Sequence, residues 1–118
     1  MTLQSPVPVC PADIIVNIVR GKWALNILLV IGEQGEPHFN AIRRTIPGIS
    51  AKVLGEQLGY LIDGGVLQRT HTASARHEVV YSYTEHGKEL RTVLDDLHKL
   101  ALRWQSSENP LENDTPLP

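Results

Sequence analysis

Apolar residues recur with helical spacing in five segments of this chain and with strand-like density in two. Ile14, Ile15, Ile18 and Val19 mark one face of a short helix. Pro11 suits its start, where a missing N–H is no loss, and Gly21 ends it. Lys22 to about Ile31 predicts a second helix, apolar nearly all round except at Asn26, which places it at the centre of a domain. Gly32 to Pro37 predicts a loop. Phe39, Ile42 and Ile46 give a short third helix, and Pro47-Gly48 a sharp turn. Ser50 is placed to cap a fourth helix from Ala51 to about Ile62, with Leu54, Leu58, Leu61 and Ile62 inward and Gly64-Gly65 as its stop. The runs Leu67–His71 and Val79–Tyr83, joined by a polar stretch, predict a β-hairpin. Thr84 caps a last helix from Glu85 to about Gln105, with Glu85 at its positive end.

This order predicts a mainly α, α+β fold: a winged helix-turn-helix of about five helices with a two-stranded wing and a long C-terminal helix. Helices joined across a tight turn form the reading unit, and a hairpin directly after the second supplies the wing. The expected organisation is an arm over residues 1–9, one domain over 10–105 and an acidic tail over 106–118. No internal linker or repeat interrupts it.

Composition narrows the class. With 118 residues the chain is the size of one domain, and its single cysteine excludes an internal disulfide. No apolar run approaches a membrane span, and the start lacks a basic and an apolar region, so a cytoplasmic protein without membrane association is expected. The formal net charge is −2. Its distribution says more: between His38 and Arg76 five bases (Arg43, Arg44, Lys52, Arg69, Arg76) face two acids (Glu56, Asp63). A mildly basic middle is the footprint of a polyanion partner.

On the fourth helix, stepping 100° per residue from Leu54 puts Lys52, Gly55, Glu56, Gly59 and Asp63 outward. That stripe is what a DNA major groove would meet. Ser50 and Lys52 stand at the helix start, where free N–H groups favour a phosphate. Gly55 and Gly59 let backbone approach. Gln57 and Tyr60 flank the stripe within reach of a base or phosphate. Arg43 and Arg44 precede the turn and suit phosphate clamping, while Arg69 on the first strand suits the DNA backbone. Arg76 and His77 at the hairpin tip suit the minor groove or backbone. The expected partner is therefore double-stranded DNA.

Leu90, Leu94, Leu97, Ala101 and Trp104 are spaced 4, 3, 4 and 3 along the last helix, a heptad seam that points to a homodimer. A two-fold dimer predicts an inverted-repeat operator. The five histidines have no metal-ligand spacing, and no P-loop, Ser-His-Asp order or G-x-G-x-x-G is present. No catalytic set, metal or cofactor is expected.

Cys10-Pro11, Gly21-Lys22-Trp23, Phe39 to Arg44, Pro47 to Leu54, Gly65 to Arg69 and Tyr83 to Leu90, in that order, resemble the HxlR family of bacterial winged-helix transcription regulators over about residues 10–104. The pattern departs at Gln57 and Gly59, where bases are common. The resemblance implies a homodimeric DNA-binding regulator whose first and last helices make the dimer contact, the first through Ile14 and Ile18. Some members sense oxidants or electrophiles through a cysteine near the start, where Cys10 stands. Beside a helix N-terminus a thiol gains reactivity. Two alternatives remain: a winged-helix module that binds protein rather than DNA, and a small-molecule sensor with a pocket at the dimer interface near Trp23 and Trp104.

Overall fold

The computed structural model describes residues 10–73 and 78–106. The arm (1–9), most of the acidic tail (107–118) and the hairpin tip with Arg76 and His77 lie outside the described residues. The element order is α1 (Ala12–Val19), α2 (Ala24–Gln34), α3 (Phe39–Thr45), α4 (Ala51–Asp63), β1 (Leu67–His71), β2 (Val79–Tyr83) and α5 (Glu85–Ser106).

Pro11 stands at the start of α1, and Asp13 N–H bonds back to the Cys10 carbonyl at 2.8 Å. The second helix departs from expectation at both ends. It begins at Ala24 and runs through Gly32 to Gln34. Gly35 is the true stop: its φ is +82°, and its N–H bonds the Ile31 carbonyl at 3.1 Å. A φ in that region favours glycine, which lacks the Cβ that would clash. Gly32 serves packing instead, since a Cβ there would stand 3.0 Å from Arg91 Nε of α5.

The core forms where α2 crosses the later elements. Ile27, Leu28 and Ile31 of α2 are fully buried with Ile42, Leu54, Leu58, Leu61 and Leu67. The placement of α2 at the centre holds for one side of it only. Leu25 and Leu29, on the other side, are 45% and 37% exposed.

The hairpin is antiparallel, with Leu67 opposite Tyr83 and His71 opposite Val79. An isolated bridge pairs His38 with Val80, and Tyr81 N–H bonds the Pro37 carbonyl at 3.0 Å. The chain entering α3 thus tethers the middle and tip-side half of β2. His38 reinforces this through ring contacts to the Val79 carbonyl (3.2 Å) and to the Glu78 carboxylate (3.4 Å).

Where α5 starts, Thr84 fixes its direction. Its hydroxyl donates to the Gly65 carbonyl at 2.5 Å and accepts the Gly87 N–H at 2.9 Å. Gly87 is buried against the turn after α4, and a Cβ there would overlap the Val66 carbonyl oxygen. The Tyr83 hydroxyl donates to the Leu28 carbonyl at 2.5 Å. Burial pushes the Tyr83 phenol up to about 12, with Arg91 opposing the shift and Asp95 adding to it. After Leu90 no residue of α5 is fully buried. The helix has 22 residues, and most of it stands clear of its own core.

Candidate nucleic-acid interface

The candidate site is built on α3, the turn and α4. Proline at 47 and glycine at 48 (φ +86°) reverse the chain, and Ile46 and Ile49 are buried on either side of that pair. Trp23 covers the turn, with its Cη2 atom 3.9 Å from where a Gly48 Cβ would be. Ser50, in extended conformation, then caps α4 by accepting the Val53 N–H at 3.1 Å. An N-cap of this kind contributes ~1 kcal/mol to the helix and fixes where its free N–H groups point.

From that cap, Leu54, Leu58 and Leu61 turn inward, while Ala51, Lys52, Gly55, Glu56 and Asp63 lie exposed. A Cβ added at Gly55 or Gly59 would meet nothing within 4 Å. The outward stripe is therefore bare. Arg43 and Arg44 occupy the last turn of α3, both exposed. They and Lys52 flank the turn on its two sides. Arg69 is exposed on β1, in register with Tyr81.

Two of the residues expected to reach DNA are engaged within the chain. Gln57 is half-buried, its Oε1 atom 3.0 Å from where a Gly21 Cβ would stand. The Tyr60 hydroxyl donates to the Asn17 carbonyl at 3.1 Å. These side chains lash α4 to α1 and to the α1–α2 turn. Ile18 joins them from the other side, meeting the Gly64 position at 3.2 Å. Sequence reasoning also missed the Pro37-His38 strap that holds the wing; its only signal was a proline beside a histidine ahead of a short helix.

The residues of the expected dimer seam separate into two groups. Leu90 belongs to its own chain's core and Ile18 packs against it. Ile14, Leu97 and Trp104 are 68%, 52% and 54% exposed. Leu94 is half-buried and, with Leu97 and Ala101, faces Leu25 and Leu29 of α2 across a groove of about 590 Å³ floored by Leu28 and Tyr83. Neither tryptophan lines this groove, which is formed within one chain. Trp23 lies over the helix-turn-helix at Gly48. Cys10 is exposed just ahead of α1 and has a free thiol.

A capped outer helix, a tight turn from the helix before it and a hairpin directly after it define a winged helix-turn-helix protein. Residues 18–109 match the HxlR-like helix-turn-helix family. The chain belongs to that family, and it is a transcriptional regulator with a helix-turn-helix fold. A relative, the uncharacterized HTH-type transcriptional regulator YdeP of Bacillus subtilis (strain 168), is 35% identical over 103 residues, covering 87% of this chain and 80% of the relative. Among solved structures, the oxidized form of the redox regulator HypR superposes with a TM-score of 0.70 at 26% identity, covering 80% of this chain and 96% of that one. The reduced form of the transcriptional regulator YodB from B. subtilis superposes with a TM-score of 0.69 at 28% identity, covering 80% and 92%. No single helix among the described residues is long and apolar enough to cross a membrane.

Proposed function

We propose that this regulator binds an inverted-repeat operator as a homodimer, with α4 in the major groove and the hairpin alongside. The observation that carries the reading is the bare outer stripe of α4. It presents Lys52 beside a capped helix start, glycines at 55 and 59 with no neighbour in contact, and two exposed arginines on the helix before. Phosphates favour such a helix start because its first N–H groups lack partners. Lys52, Arg43 and Arg44 supply charge, and Glu56 stands on the stripe where it can accept from a cytosine amino group. Dimerisation rests on α5, whose apolar positions beyond Leu90 find little cover within the chain.

The test is duplex binding across a salt series. Affinity falls steeply as salt rises, because each phosphate contact releases counterions. Lys52→Ala weakens binding to every sequence and lowers the slope by about one. Full affinity and an unchanged slope in that variant would remove α4 from the interface. Absence of binding to any duplex would leave the protein-binding reading.

Cys10 is proposed as a redox or electrophile switch acting across the dimer. Its exposure beside α1 supports this, as do relatives of known structure described as redox regulators. With one cysteine per chain, a disulfide on Cys10 must be intermolecular. Oxidant changes the operator affinity of the wild type and leaves Cys10→Ser unmoved. An equal response of both proteins to oxidant excludes the switch.

A further inference from the structure

The turn between α1 and α2 is pressed onto the helix-turn-helix at two consecutive points. Gly21 lies against Gln57, midway along α4, with only 3.0 Å between a Cβ there and Gln57 Oε1. Trp23 lies over Gly48 at the turn before α4. Lys22 stands between these two anchors and is itself exposed. Its ammonium sits 4.9 Å from the centroid of the Trp23 ring, and it makes no ion pair among the described residues. Such a contact restrains the ammonium over the ring face. The side chain is thereby pre-positioned, and less conformational entropy remains to be lost when it meets an anion.

From this geometry we infer that Lys22 is a further DNA-phosphate contact, which fixes the register of α4 on the duplex from outside the helix-turn-helix itself. The inference rests on the DNA-binding reading above. Gln57 and Trp23 hold Lys22 to the half of the molecule that carries Arg43, Arg44 and Lys52, so one strand's backbone meets cations on both sides of the turn. Gly21 is required for this arrangement, because a side chain there would push the turn off Gln57.

The experiment uses the full chain with Trp104 kept in place, because that residue belongs to the proposed dimer seam. A 30-base-pair duplex of random sequence at low salt serves as probe, so no operator is needed. Affinity and its salt slope are both taken from duplex anisotropy. Lys22→Gln lowers the slope by about one and the affinity about five- to tenfold near 0.1 M salt, with unchanged melting temperature. Lys22→Arg restores the slope. Lys99→Gln, an exposed lysine on α5, leaves it at the parent value. An unchanged slope in Lys22→Gln while the parent binds overturns the inference and leaves the DNA reading standing. An equal loss in Lys99→Gln overturns it also, showing only an effect of bulk charge. Failure of the parent to bind any duplex overturns both.

Discussion

Gly87 shows what a single missing Cβ can decide. Position 87 falls in the first turn of α5, where the Val66 carbonyl and the Tyr83 ring close in from the preceding turn and strand. The Val66 contact is with backbone, which cannot rotate aside. Gly87→Ala therefore lifts the helix off the sheet, and the expected loss is about 3 kcal/mol, the upper range for overpacking a well-packed site. Thermal unfolding checks this; a melting point within a degree of the wild type would show that the helix start has room to move. Sequence alone recorded glycine here only as part of a motif, because the clash comes from residues 66 and 83, remote along the chain. Thr84 was different: a hydroxyl just ahead of a helix that opens on an acid, Glu85, is a local signal, and the observed cap matches it.

Among the elements, α4 carries the most consequential trade. Two glycines in a helix of 13 residues cost stability, and neither has a neighbour that would exclude a methyl group. Gly55→Ala should stabilise the protein by ~0.5–1 kcal/mol, the helix-propensity difference, seen as a raised melting point. In the proposed complex the same methyl group intrudes where backbone approaches the groove, so duplex affinity falls as stability rises. A variant more stable and equally tight would show that the stripe does not touch DNA. The inward side of this helix was legible because its spacing of three and four is intrinsic to a helix. Gln57 and Tyr60 were not, since their partners at Gly21 and Asn17 come from another element. The end of α2 misled for a related reason. Gly32 looks like a stop in sequence, yet it is the seat for Arg91, and only the positive φ of Gly35 reveals the true one.

For the molecule as a whole, α5 is the feature that a lone chain leaves unexplained. It is long, amphipathic and little buried beyond Leu90, with Leu97 and Trp104 open to solvent. The proposed dimer predicts that Leu97→Glu gives a folded monomer at micromolar concentration, because the glutamate meets a partner's apolar seam while position 97 is more than half exposed in its own chain. Sedimentation equilibrium checks this, and operator affinity should drop with dimer loss, since two half-sites are no longer held together. A dimer of unchanged strength would place the contact elsewhere. The exposed apolar face of α5 was readable from the heptad spacing; that Leu90, at its start, serves the chain's own core was not, because periodicity marks a face without saying what lies against it.

The fastening of α5 at Gly87 also has a mechanical side. Anchored near one end and overhanging past Leu94, the rod is a cantilever. A tilt of about 5° at the anchor sweeps Trp104, roughly 25 Å further along, through about 2 Å. Motion entering at the tip is scaled down on its way to the Gly87 anchor, and motion leaving the anchor is magnified.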